Sequence, residues 1–235
     1  MMPAVVILAG GVAKRLGPMT EHIPKSLLRV AGEPFIAHQF LLLKKNGIKE
    51  IIICSGYLSR QVEDFVGDGS KFGLNVVFSE DGEIPLGTGG AIKKALPLLD
   101  EEFFVMYGDS YLRVDFKDVQ QSFLKAGQRG LMTVLKNNDA WGPSNIVFKK
   151  GRIAAYDKKN KLEGMDHIDY GLGLLKKDAF DVMGSDEIFD LSALYQKLIE
   201  QDQMAGYEVS ERFYEIGSLA GLAETERYLI NRKDQ

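Results

Sequence analysis

Gly10 and Gly11, followed closely by Lys14 and Arg15, are the first residues in the chain whose types and spacing suit a particular chemistry. They lie in the stretch "ILAGGVAKRL", directly after an apolar run. Small residues let main-chain N–H groups come close to a ligand, and a lysine with an arginine suits an anion with several oxygens, such as a polyphosphate. A plain strand-to-helix turn has the same outline. The loop continues from Gly17 to Leu27 through Pro18 and Pro24 and returns another cation, Lys25, so that Arg15 and Lys25 can flank one polyphosphate. As isolated charges, both read equally as solvated surface cations.

Two carboxylates come at the ends of apolar runs. Asp109 follows Phe103–Gly108, where it suits Mg²⁺, a hard cation held by a few carboxylates together with phosphate oxygens. A turn or helix N-cap aspartate is the alternative. Glu215 interrupts the apolar run Arg212–Ser218; pointing inward it needs a partner, which a shared metal would supply, and pointing outward it meets solvent. Ser218 is placed to cap the helix that follows. The small-residue loop Leu86–Ala91 opens a helix and offers main-chain donors for the edge of a flat ring. Lys158, at the end of a strand-like run, suits a second phosphate or plain solvent. His22, His38 and His167 are isolated from one another, and no Cys/His or Ser/His constellation is present.

The elements that must position these residues follow from periodicity. Ala4–Leu8, Glu50–Cys54, Leu74–Phe78 and Phe103–Tyr107 read as buried strands alternating with helical patterns at Ile36–Lys45, Ser59–Val66 and Gly90–Leu96. Repeated βαβ units predict a parallel sheet covered on both faces, with ligands beyond the carboxyl ends of its strands. After Asp109 the rhythm changes to Leu131–Leu135 and a hairpin of Asn145–Phe148 with Arg152–Asp157, turning at Lys149-Lys150-Gly151, before helices return at Leu191–Gln201 and Ala220–Leu229. No linker, repeat or low-complexity segment divides the 235 residues, so one domain over 1–235 is expected, with both halves sharing a sheet. The net charge of −4 comes from interspersed signs, which argues against nucleic-acid or membrane partners and for small ones. Cys54 is the only cysteine, no charged-then-apolar leader precedes the first strand, and no apolar run nears the roughly 18 residues that span a bilayer. A cytoplasmic protein is expected.

In order, "LAGGVAKRLGPMT", "IPKSL", "LGTGGAI", "YGDS", "YDKK" and "YEIGSLAGLAE" resemble the motifs of the sugar-1-phosphate nucleotidyltransferases, over nearly the whole chain. "LGTGGAI" and "GDGSKFGL" look most like the bacterial guanylyl- and uridylyltransferases acting on mannose-type, heptose or N-acetylmuramate 1-phosphates. The resemblance implies a Rossmann-like, doubly wound, mostly parallel α/β fold with an added β-hairpin region. It also implies conversion of an NTP and a sugar 1-phosphate to an NDP-sugar and pyrophosphate for surface polysaccharide, with Mg²⁺ as cofactor. By motif match, Arg15 and Lys25 meet the β- and γ-phosphates, and Asp109 with Glu215 holds Mg²⁺. Leu8, Ala9, Gly10, Gly11, Lys14, Glu80, Gly87 and Thr88 fall on the nucleotide side. Asn145, Asp157, Lys158, Asp169, Tyr170 and Gly171 fall on the sugar-phosphate side.

The chain departs from the family pattern at Ala13 and Lys14, where glycine and threonine are usual, at Glu215, usually aspartate, and at Lys159, usually proline. A carboxylate at Glu80 or Glu83 can accept from the N1–H and amino group of guanine, which favours GTP over UTP or CTP. A transferase using CTP and phosphocholine is the near rival; a quaternary ammonium favours an aromatic cage, and the polar side chains Asn145, Asp166 and Asp169 favour a sugar. A non-catalytic nucleotide-binding module is the rival from another class. A dinucleotide oxidoreductase is disfavoured, because no G-x-G-x-x-G follows the first strand. Monomer and homodimer are both compatible with the sequence.

Overall fold

Val5, Val6 and Ile7 are consecutive and all buried, so the strand they form is covered on both faces. The computed structural model describes residues 2–11 and 14–233, with the side chains of Lys14, Arg15 and Lys233 outside that description. Its first half runs β1 (Ala4–Leu8), β2 (Arg29–Val30), β3 (Glu33–Pro34), α1 (Phe35–Lys45), β4 (Glu50–Ser55), α2 (Ser59–Val66), β5 (Asn75–Glu80), α3 (Gly87–Ala95) and β6 (Glu102–Tyr107). β5, β4, β1 and β6 lie side by side in that order, all parallel, with Val6 level with Ile52 on one side and Val105 on the other. β2 and β3 form a separate small hairpin.

The second half runs β7 (Ser110–Tyr111), α4 (Phe116–Ala126), β8 (Gly130–Lys136), β9 (Ile146–Lys149), β10 (Arg152–Tyr156), β11 (His167–Lys176), α5 (Leu191–Glu200), β12 (Met204–Val209), β13 (Tyr214–Glu215) and α6 (Leu219–Lys233). β11 joins the halves by running antiparallel between β6 and β8, and β12, β10 and β9 complete a nine-stranded sheet. The expected hairpin is β9–β10. Lys150 and Gly151 turn it with φ of 50° and 80°, the doubly left-handed turn that matches strand twist.

Because successive side chains of a strand point to opposite faces, the sheet has two cores. Val5, Ile7, Ile51 and Ile53 face Phe35, Phe40 and Leu43 of α1, Val62 of α2 and Phe116 and Phe123 of α4. Val6, Ile52, Cys54 and Val105 face Ile92 of α3 and Leu191, Leu194 and Leu198 of α5. The expected strands agree with the observed ones within about two residues. α3 begins at Gly87, not Gly90, and α4, β11 and β12 were not foreseen. Among the described residues no helix is long and apolar enough to cross a membrane.

Candidate active site

The parallel strands end together, and glycines allow their ends to close up. Ala9 N–H donates to the Cys54 carbonyl at 2.9 Å and Gly108 N–H to the Leu8 carbonyl at 3.0 Å. A Cβ on Gly108 would stand 2.7 Å from that carbonyl oxygen, and one on Gly10 would stand 3.3 Å from the Gly56 nitrogen. Asp109 follows this seam. Gln39, fully buried on α1, holds its turn by donating from Nε2 to the carbonyls of Tyr107 at 3.2 Å and Ser110 at 2.9 Å. Lys25 Nζ meets Asp109 Oδ2 at 2.6 Å, both side chains retaining 22% exposure. Leu8, Ala9, Gly10, Gly11, Lys25 and Asp109 share the wall of one cavity of about 550 Å³. The side chains of Lys14 and Arg15, expected beside the polyphosphate, lie outside the described residues.

The same cavity is also bounded by Asp81, Glu83, Gly87 and Thr88. Glu80 does not line it; its carboxylate accepts from Ser59 Oγ at 3.4 Å on the outer side of α2. Asp81, the next residue, turns inward and accepts from Leu86 N–H at 3.3 Å. Burial raises the Asp81 carboxyl above its ordinary value, and burial together with the Asp81 charge pushes the Cys54 thiol up to about 12. Such a thiol is a packing group here. The main-chain donors expected to face a base are partly spent, since Gly89 and Gly90 N–H both donate to the Phe189 carbonyl, at 2.9 and 3.1 Å. The Thr88 hydroxyl donates to Asp190 Oδ2 at 3.1 Å and accepts from Leu191 N–H at 2.8 Å.

Next to the cavity, β11 carries an irregularity. Asp169 stands opposite Val134 and Gly173 opposite Met132, so β11 advances four positions while β8 advances two. The Thr133 hydroxyl donates to the Leu172 carbonyl at 2.6 Å across the gap. The bulge turns Asp169 towards Tyr107 and Tyr156, whose hydroxyls lie 3.4 and 3.2 Å from Oδ2, while Gly171 N–H donates to Oδ1 at 3.0 Å. Burial raises the Asp169 carboxyl, against the lowering effect of Lys158 and these donors. Lys158 Nζ sits 3.4 Å from both the Tyr107 hydroxyl and Asp190 Oδ1.

The other residues expected on the acceptor side divide. Asn145 accepts from Asp169 N–H at 3.1 Å and so supports the bulge. Asp157 accepts from the N–H groups of Lys159 at 2.7 Å and Asn160 at 3.0 Å, pinning the turn where a proline was missing. Tyr170 is turned elsewhere: its ring is buried in the α1 and α4 core, and its hydroxyl accepts from Arg113 N–H at 2.7 Å. It does not line the cavity.

Glu215 pairs through β13 with Ser110 of β7, and Ile216 N–H donates to the Asp109 carbonyl at 3.0 Å, so the two carboxylates share an edge. Its carboxylate, however, is turned into its own loop, accepting from Gly217 N–H and from Ser218 Oγ, the latter at 2.6 Å. Ser218 caps α6 as expected, accepting from Gly221 N–H at 3.0 Å. Among the described residues no three His, Cys, Asp or Glu side chains gather to hold a metal ion. Asp109 presents its carboxylate to the cavity beside Lys25, an arrangement that fits a cation such as Mg²⁺ whose remaining ligands are phosphate and water.

Residues 4–145 match the nucleotidyl transferase family. The chain belongs to that family. It is similar to the D-glycero-alpha-D-manno-heptose 1-phosphate guanylyltransferase of Campylobacter jejuni, 30% identical over 90% of this chain and 93% of the relative. It is also similar to the N-acetylmuramate alpha-1-phosphate uridylyltransferase of Neisseria meningitidis serogroup B, 29% identical over 94% of this chain and 96% of the relative. In fold it resembles HddC from Yersinia pseudotuberculosis, solved with GMP-PN, with a TM-score of 0.80, 24% identity and coverage of 97% of this chain and 100% of the other.

Three residues of this nucleotidyl transferase's site were missed in the sequence. Asp81 differs from the expected Glu80 by one position, which in a strand ending is the difference between faces. Gln39 lies on a helix that reads as pure scaffold, and only the fold brings it beneath Asp109. Asp190 carries a readable signal, an N-cap aspartate before the apolar helix α5, but nothing in its spacing points to Lys158.

Proposed function

We propose that this nucleotidyl transferase joins GTP to a neutral, mannose-type or heptose 1-phosphate, releasing pyrophosphate. The observation that carries the reading is the Lys25–Asp109 pair, 2.6 Å apart on the wall of the cavity that begins at Gly10 and Gly11. A sugar phosphate oxygen attacks the α-phosphorus, and the bond to the bridging oxygen breaks with its electron pair leaving on pyrophosphate. Two anions must meet, so positioning and charge neutralisation are the main tasks. Lys25, with Arg15 as its proposed counterpart, takes the leaving phosphates, and Lys158 takes the phosphate of the sugar. Asp109 would hold Mg²⁺, which supplies charge neutralisation at the phosphates when bound. Glu215 could join it only by giving up its bonds to Gly217 and Ser218.

Guanine is favoured because Asp81 and Glu83 put carboxylates on the wall of the same cavity, able to accept from its N1–H and amino group. A neutral sugar is favoured because Asp169 and Asp190 flank Lys158, so an acceptor bearing its own carboxylate meets like charge. The guanylyltransferase activity of the Campylobacter jejuni relative and of its Aneurinibacillus thermoaerophilus counterpart supports the same choice. The test is pyrophosphate release from each of four NTPs with a panel of sugar 1-phosphates. GTP with mannose or heptose 1-phosphate should give the highest kcat/KM. A preference for UTP with N-acetylmuramate 1-phosphate would overturn both substrate assignments.

A further inference from the structure

The geometry points to Thr88 and Asp190 as positioning residues for Lys158, linking the helix at the nucleotide cavity to the lysine that receives the sugar phosphate. The inference rests on the acceptor role proposed for Lys158. Thr88 lines the cavity, but its hydroxyl is committed to Asp190 Oδ2 at 3.1 Å and Leu191 N–H at 2.8 Å. Asp190 in turn accepts from Ser192 N–H at 2.9 Å through Oδ1, the same oxygen that stands 3.4 Å from Lys158 Nζ. Tyr107 completes the restraint, with its hydroxyl 3.4 Å from Nζ and its ring centroid 5.5 Å away. The ammonium is therefore confined between a carboxylate and a phenol.

The link is stiff because α3 and the segment before α5 pack backbone to backbone. A Cβ on Gly89 would lie 2.3 Å from the Phe189 ring, and one on Gly90 would lie 2.1 Å from the Glu187 carbonyl oxygen. Phe189 N–H donates to the Leu86 carbonyl at 3.0 Å, and Lys93 Nζ donates to the carbonyls of Gly184 and Asp186, both at 2.7 Å. Burial alone would raise the Asp190 carboxyl, but Ser192, Lys158 and Thr88 outweigh it and hold the group below its ordinary value, so it stays charged. Lysine carries a flexible four-carbon stem whose ordering costs entropy on binding, and a fixed carboxylate meets part of that cost beforehand. Two of the three ammonium donors serve Asp190 Oδ1 and the Tyr107 hydroxyl, and one remains for phosphate.

The experiment separates this role from base reading and from helix capping. Thr88→Val keeps the shape of the side chain and removes both hydrogen bonds. Asp190→Asn keeps an N-cap acceptor for α5, since Asn caps as well as Asp, and removes the charge. In both variants the KM for the sugar 1-phosphate should rise about five- to tenfold, while the Kd for NTP measured by calorimetry without sugar phosphate stays within about twofold. In a Lys158→Ala background, Thr88→Val should add no further rise in KM. Weakened NTP binding with an unchanged sugar-phosphate KM would make Thr88 a base-reading residue and overturn the inference. A full multiplicative rise in the Lys158→Ala background would overturn it as well. Wild-type enzyme that turns over no sugar 1-phosphate would instead overturn the functional reading, and this one with it.

Discussion

At Asp109 a single carboxylate meets Lys25 at 2.6 Å and Ser110 Oγ at 3.3 Å, where the proposed reaction needs phosphate charge neutralised. Asp109→Asn preserves shape and removes the charge, so turnover at saturating Mg²⁺ should fall by about 100-fold or more. Glu215→Gln should cost much less, about tenfold or below, because the Glu215 carboxylate already serves Gly217 N–H and Ser218 Oγ and the amide oxygen of Gln can still accept. Steady-state kcat for both variants decides the order; an equal loss would place both carboxylates on the metal. In the sequence Asp109 stands out at the end of an apolar run, and Lys25 as the cation returned by a loop with two prolines. Thr88 was legible as a cavity residue but not in its bonding, because its partner Asp190 is 102 positions away. Tyr170 lies apart because successive strand residues face opposite sides of the sheet: its ring packs in one core while Asp169, its neighbour, faces Tyr107 and Tyr156.

The element that sets this division is β11, and spacing alone does not reveal it. Its run His167–Lys176 contains Gly171 and Gly173, which lower strand propensity, yet each glycine has a physical cause in the fold. Gly171 has φ of +97°, and Gly173 leaves room for the Tyr195 hydroxyl, which would stand 2.5 Å from a Cβ. β12 was hidden likewise by Gly206, where a Cβ would meet Phe148 at 2.5 Å. By contrast β1, β4 and β6 were plain as unbroken apolar runs, and α4 had a readable cap in Asp115, whose Oδ1 accepts from Lys117 N–H at 2.8 Å. Gly171→Ala tests the bulge. The left-handed backbone would cost roughly 1–2 kcal/mol, and the new methyl would sit 3.4 Å from both Ser110 Oγ and Tyr107 Cδ2, beside the turn that presents Asp109. Denaturant unfolding should show that loss, and kcat should fall with it. A variant as stable as the parent would mean that the bulge relaxes freely.

Across the whole molecule, the two halves of the sheet meet where β6 pairs with β11, and four tyrosines from four elements surround that junction: the buried Tyr156, Tyr170 and Tyr195 and the half-buried Tyr107. All four phenols titrate above the ordinary tyrosine value, chiefly through burial; at Tyr107, Tyr156 and Tyr195 the Asp169 charge adds to the effect. In the unfolded chain these phenols ionise near pH ~10, whereas in the folded protein they keep their protons. Between those values the folded state binds more protons than the unfolded one, so stability falls as pH rises. It is intact below pH ~10 and is lost above it, at up to about 1.4 kcal/mol per pH unit for each tyrosine, or roughly 5 kcal/mol per unit for four. Urea midpoints measured through the alkaline range should therefore drop steeply, with the phenolate absorbance of four of the nine tyrosines appearing only together with loss of the fold. Tyr156→Phe removes one of the four groups and should flatten the decline by about a quarter. Phenolate absorbance of all nine tyrosines that develops well before unfolding would show that the junction opens to solvent and that these phenols are not linked to global stability.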